Sequence, residues 1–138
     1  MDKIARSQPT VLVVDDDATT RTLVRASLEQ LDLAVEEAAN GEDALACIER
    51  SLPDLVLLDI SMPIMDGLET CRRIRKIKGN GSIPIIMLTG LADADSAKRA
   101  ASAGATDYVT KPINWRLLGQ RVRHFLNIHA QPKQTKER

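Results

Sequence analysis

Aromatic side chains are nearly missing from this chain: Tyr108, Trp115 and Phe125 are the full set in 138 residues. That scarcity bears on the most basic stretch, Arg72-Arg73-Ile74-Arg75-Lys76-Ile77-Lys78. Without stacking aromatics or a groove-reading helix pair, the stretch reads as the solvated face of a helix, and no direct nucleic-acid binding is expected. Neither sign of charge is in excess, with 19 Lys+Arg against 19 Asp+Glu, so no global field draws the protein to polyanions or an anionic membrane. Cysteine is scarce too. Cys47 and Cys71 lie far from any CxxC spacing, so they read as reduced, packed thiols rather than half of a zinc set with His124 and His129. No apolar run approaches the roughly 18 residues of a membrane span, and Met1 to Thr10 lacks the apolar core of a signal peptide. A cytoplasmic location with no membrane partner is the expectation.

What is present is a set of short, unalternated apolar runs. Val11–Val14, Leu55–Leu58 and Ile83–Leu88 each read as a strand buried on both faces, as in a parallel sheet. Leu33–Ala38 is weaker, and its Glu36 and Glu37 place it near a sheet edge; Thr106–Val109 is a short fifth strand. Helical periodicity fills the intervals. Leu23, Val24, Leu28 and Leu31 share one face, and Ala44, Leu45 and Ile48 follow an Asn40 cap. Leu68, Cys71, Ile74 and Ile77 follow a capping box of Asp66 and Glu69 and end at Gly79-Asn80-Gly81. An Ala-rich helix runs from about Asp93 to Ala103 with Gly104 beyond it, and Trp115, Leu118, Val122 and Phe125 line a last one. Five strand–helix units with short connections predict a single doubly wound five-stranded parallel sheet, an α/β fold of the flavodoxin-like (βα)5 kind. The expected boundaries are a flexible leader at 1–9, one domain at 10–129, and a polar tail or linker stump at 130–138.

The carboxyl ends of the predicted strands collect the unusual residues. Asp15 and Asp16 follow the first strand, Asp59 ends the third, Thr89 and Gly90 end the fourth, and Lys111 follows the fifth. Open α/β sheets hold ligands at that edge. Crowded carboxylates favour protonation or a bound cation, and hard oxygen donors suit Mg²⁺ (or Mn²⁺). Lys111 offers a positive point charge, Thr89 a hydroxyl, and Gly90 an unobstructed backbone N–H, all useful to a phosphoryl oxygen. A carboxylate such as Asp59 is itself a competent phosphoryl acceptor. Asp17, Asp54 and Asp66 read as caps and strand-end residues outside this set.

VLVVDDD at 11–17, LVLLDISMPIMDG at 55–67, IIMLTG at 85–90 and DYVTKP at 107–112 together resemble the receiver domain of two-component response regulators. The resemblance spans Thr10 to Ile128. It implies strand order 2-1-3-4-5 and a cis Lys111–Pro112 bond, with Asp59 as phosphoacceptor. Asp16, Asp59 and the Ser61 carbonyl would ligate Mg²⁺, and Asp15 would act through a metal-bound water. Thr89, Gly90 and Lys111 would bind the phosphoryl group, with Thr89 and Tyr108 as the switch pair. The donor would be a sensor histidine kinase or phosphotransfer protein, and the output an unidentified domain or protein reached through the face around the fourth helix, fifth strand and fifth helix. Ser61 and Leu91 occupy positions that tune dephosphorylation in the family, and neither supplies a group to orient water, so self-hydrolysis is not expected to be fast.

Several other classes compete. A degenerate receiver acting only as a docking module would lack part of the set, and none is missing here. An aspartyl-phosphate phosphatase would carry a second acid where Ser61 stands. A flavin- or nucleotide-binding protein would have a Gly-, Ser- or Thr-rich loop where Asp15-Asp16-Asp17 stands. The expected activity is a switch, not an enzyme with turnover. Pro112-Ile113-Asn114-Trp115-Arg116-Leu117-Leu118 is similar to receivers attached to cyclic-di-GMP enzymes, and the Ala-rich helix with Lys98, Arg99 and Asp107 offers a surface for phosphorylation-dependent dimerisation.

Overall fold

Three strands buried over almost their whole length form the centre of the molecule. In the computed structural model these are β1 (Thr10–Val14, buried from Val11), β3 (Leu55–Asp59) and β4 (Ile85–Thr89). The structure describes residues 8–77, 82–90 and 94–136, with side chains to His129. The expected Gly79-Asn80-Gly81 stop, Leu91, Asp93 and the leader residues 1–7 lie outside the described residues. Two weaker strands, β2 (Ala34–Ala38) and β5 (Asp107–Thr110), close the two edges. All pairings are parallel, in the order β2-β1-β3-β4-β5.

Parallel strands need crossovers, and the helices that supply them cover both sheet faces. These are α1 (Ala18–Glu29), α2 (Gly41–Arg50), α3 (Gly67–Lys76), α4 (Ala94–Ala103) and α5 (Trp115–Lys136). Because side chains alternate along a strand, one apolar run feeds two cores. Leu12, Val14, Val56, Leu58, Ile85 and Met87 pack with Ala44, Ile48, Leu68, Cys71 and Ile74 on one side. Val11, Val13, Leu55, Leu57, Ile86 and Leu88 pack with Val24, Leu28, Leu118 and Val122 on the other. This double burial is why the three central strands show no polar alternation.

The helix starts follow the expected chemistry. Asp17 accepts from the Thr19 N–H, Asn40 from Asp43 and Asp66 from Glu69, each satisfying an orphan donor of a first turn. Gly104 takes a φ of +104°, the left-handed geometry expected just past α4. Asp54 also serves locally, accepting the Thr10 N–H at 2.8 Å.

Four expectations are corrected. Leu23 is 52% exposed, because neighbouring helix positions diverge by about 100° and Val24 takes the inward one. The capping box is only half made: the Glu69 carboxylate pairs with Arg72 and Arg73 instead of reaching back. Trp115 opens α5 but is 38% exposed, leaving Leu118 and Val122 to anchor the helix. Finally, α5 continues helical to Lys136, into the segment 130–138 expected as a polar tail or linker stump.

Candidate functional site

Strand register brings the special residues level. Val14 pairs with Leu58, Asp59 with Leu88 and Thr89 with Thr110. Asp15, one residue past β1, therefore meets Asp59 at the end of β3, and Lys111, one past β5, reaches the same rim beside Thr89. A hydrogen bond from the Lys111 N–H to the Thr89 carbonyl (2.7 Å) extends the ladder to that point. The following Lys111–Pro112 peptide is cis.

Asp15, Asp16 and Asp59 each place a carboxylate oxygen within 4.8 Å of the others. Asp15 and Asp59 are buried, at 1% and 3% exposure, while Asp16 is exposed. The Lys111 ammonium donates to Asp59 Oδ1 at 3.0 Å and lies 3.6 Å from Asp15 Oδ2. Burial pushes the Asp59 carboxyl above its usual range, the hydrogen bond from Lys111 opposes this, and the charges of Asp15 and Asp16 add to the rise. For Lys111, burial alone would lower the ammonium, but Asp59 and Asp15 outweigh it and the group is held above its usual value. The site is short of positive charge.

The loop from Ile60 to Asp66 folds back on the end of β3. The Ile60 N–H donates to the Leu88 carbonyl, and the Gly67 N–H returns to the Ile60 carbonyl at 2.8 Å. This return brings Gly67 so close that a Cβ there would collide with the Asp59 carbonyl oxygen. Ser61 and Ile64 point outward, and Ile64 adopts a φ of +72° with its side chain fully exposed. A β-branched residue rarely takes that conformation.

A divalent cation suits this donor set on an observation independent of resemblance. Asp15 Oδ2 is buried and accepts no hydrogen bond, and the Lys111 ammonium at 3.6 Å only partly offsets its charge, an arrangement that costs free energy unless a further positive group coordinates it. The three carboxylates supply hard oxygen donors and, against the single Lys111 charge, leave the site net negative, which suits Mg²⁺.

Residues 11–123 match the sequence family described as the response regulator receiver domain. The chain belongs to that family. Among its relatives, the transcriptional regulatory protein AfsQ1 of Streptomyces coelicolor is 40% identical over 118 residues, covering 86% of this chain and 51% of AfsQ1. The cyclic di-GMP phosphodiesterase response regulator RpfG of Xanthomonas campestris is 37% identical over 130 residues, covering 93% of this chain and 34% of RpfG. A putative response regulator from Chloroflexus aurantiacus, at 36% identity, superposes with a TM-score of 0.84 over 88% of this chain and 99% of that one. Like AfsQ1, several curated relatives are about twice the length this receiver domain spans. None of the described helices is long and apolar enough to cross a membrane.

Asp15, Asp16, Asp59 and Lys111 thus meet in space as the sequence implies, and Thr89 sits buried beside them at the end of β4. Gly90 is exposed, with open space where a Cβ would stand. Tyr108 is not at the rim: it pairs with Met87, two residues back from Thr89, and packs partly buried against the core under α4. By sequence Gly67, with Pro63, only keeps the loop after Asp59 from becoming helix; its close approach to the Asp59 backbone is a feature of the tertiary structure. Arg21 reads only as a residue outside the apolar face of α1 and Glu37 as one near a sheet edge, and their partnership has no sequence signature.

Proposed function

We propose that this receiver domain is a phosphorylation-operated switch with Asp59 as the phosphoacceptor. The observation that carries the reading is the convergence of three carboxylates within 4.8 Å, with the Lys111 ammonium 3.0 Å from Asp59. Mg²⁺ is the cation that suits the donors; it would be held by Asp16, Asp59 and the Ser61 carbonyl, with Asp15 acting through water. When bound, it supplies positive charge to phosphoryl oxygens during transfer. An Asp59 carboxylate oxygen attacks phosphorus in line; the O–P bond forms as the P–N bond to a phosphohistidine breaks. The electron pair stays on the donor's imidazole nitrogen, which then takes a proton. Lys111 exchanges its contact with Asp59 for a phosphoryl oxygen, and the Thr89 hydroxyl and Gly90 N–H donate to the others.

The donor is a sensor histidine kinase or phosphotransfer protein. The new charge draws Thr89 toward it and lets Tyr108 turn into the space behind, which alters the α4–β5–α5 face. That face addresses an output domain or partner, and a second phosphorylated copy is one such partner. RpfG carries a cyclic di-GMP phosphodiesterase name, which makes an enzyme of that signalling class one candidate output. The switch itself turns over no substrate beyond its own aspartyl phosphate, and residues 10–129 are its working unit.

Incubation with acetyl phosphate tests the reading. Intact mass should rise by one phosphoryl group only when Mg²⁺ is present, and Asp59→Ala should abolish the gain. An Asp59→Ala protein that is labelled as fast as the parent would overturn the assignment.

A further inference from the structure

A loop carrying three consecutive carboxylates, Asp15, Asp16 and Asp17, should splay under its own repulsion, yet here it is held tightly. Part of the restraint is local. The Asp17 N–H donates to Asp15 Oδ1 at 2.8 Å, and Asp17 itself caps α1 through Thr19 and the Thr20 hydroxyl. The rest comes from the neighbouring edge strand. The Asp15 N–H donates to the Ala38 carbonyl at the end of β2. The Asp15 carbonyl accepts from Arg21 Nη1 at 2.6 Å, and the Nε of the same guanidinium rests on Glu37 Oε1 at 2.9 Å. Glu37 takes Arg25 on its second oxygen at 2.6 Å, and Arg25 continues to Glu29 at 3.0 Å. The Arg21 side chain is only 17% exposed, so solvent competes weakly for these bonds.

From this arrangement we infer that Arg21 is a positioning residue for the cation site: seated on Glu37, it grips the Asp15 carbonyl and fixes where the Asp15 and Asp16 carboxylates point. The inference rests on the proposed function, which makes those carboxylates metal donors. Two physical features support it. Mg²⁺ demands near-ideal octahedral geometry, so small rotations of the donor loop are costly in affinity. The guanidinium charge is also matched by Glu37, so it braces the loop without offering the acids a competing cation. Glu37 is held below the usual carboxylate range by Arg25 first and Arg21 second, and stays ionised for that purpose. Arg25 shares Glu37 but makes no bond to the Asp15 carbonyl. It therefore provides a control within the same network.

The experiment is calorimetric titration with Mg²⁺ alone on the parent chain and on Arg21→Gln, Arg25→Gln and Glu37→Gln, beside urea unfolding of each. Loss of an outer partner of a metal ligand costs about 10–100-fold in affinity. Arg21→Gln should accordingly weaken Mg²⁺ by about tenfold or more, and Arg25→Gln by no more than about twofold, though both lose ion pairs and comparable stability. Arg21→Gln that binds Mg²⁺ like the parent overturns the inference, as does Arg25→Gln that weakens it equally, since general loosening of α1 would then suffice. Should Arg21→Gln fail to fold, Glu37→Gln takes its place: it frees the guanidinium and should weaken Mg²⁺ severalfold, and parental affinity refutes. A parent that takes no Mg²⁺ sinks both the inference and the proposed function. A parent that binds it, with unaltered Arg21→Gln, sinks the inference alone.

Discussion

Replacing the residue at the centre of the site should make the metal-free protein more stable. Asp59 lies within 4.8 Å of two carboxylates and 3.0 Å from one ammonium. At an effective dielectric of about 20, each repulsion is about 3.5 kcal/mol and the attraction about 5.5 kcal/mol. The sum disfavours the Asp59 charge by about 1–2 kcal/mol, and burial adds to it. Asp59→Asn keeps the shape and an acceptor for Lys111, so it should raise stability at pH 7 by about that amount. The pH dependence has a definite sign. The folded Asp59 carboxyl titrates above its unfolded value, so its ionisation costs nothing below the ordinary aspartate range, and the cost grows as pH rises through the elevated pKa. The advantage of Asp59→Asn should therefore be absent in acid and grow with pH until the elevated pKa is passed. Saturating Mg²⁺ reverses the ranking: at a hundred times its Kd it stabilises the parent by about 2.7 kcal/mol, while the variant has lost a ligand. Urea unfolding at acid and neutral pH, with and without Mg²⁺, reads all three effects. An Asn variant less stable than the parent without metal at pH 7 would mean that Lys111 overcompensates the two carboxylates, and the reasoning fails.

Lys111→Met removes the cation that competes for Asp59 and Asp15, so Mg²⁺ should bind severalfold more tightly while labelling by acetyl phosphate slows; weaker Mg²⁺ binding in the titration would contradict this. Ile64→Asn should raise the unfolding free energy by about 1 kcal/mol, read as a higher urea midpoint, because Asn tolerates positive φ and the isoleucine side chain buries nothing; a lower midpoint would show that the loop is not strained. Gly67→Ala should cost about 1–3 kcal/mol and weaken Mg²⁺, since the new methyl meets the Asp59 backbone. Gly41→Ala meets first the Thr70 hydroxyl and the flexible Met65 side chain rather than backbone, and should cost less; equal losses for the two glycines would remove the distinction.

Much of the architecture follows from local chemistry alone. Unalternated runs such as Leu55–Leu58 require two covered faces, and alternation with helices then requires a parallel sheet. In such a sheet Asp15, Asp16, Asp59, Thr89 and Lys111 must share one rim, because each stands at a strand's carboxyl end. Residue type and position sufficed for that set. Register, closeness and partnership belonged to the tertiary structure. Leu23 and Val24 are equally apolar, and only docking on the sheet decides which turns inward. Tyr108 is marked as a switch residue only by its place three positions before Lys111; that it pairs with Met87 and so sits back from the rim is decided by register. That Gly67 touches the Asp59 backbone, and that Arg21 reaches the Asp15 carbonyl while resting on Glu37, depends on chain segments 8 and 16 residues apart meeting in space. Such contacts leave no periodicity in the sequence, because a single hydrogen bond between distant residues constrains neither neighbour's pattern.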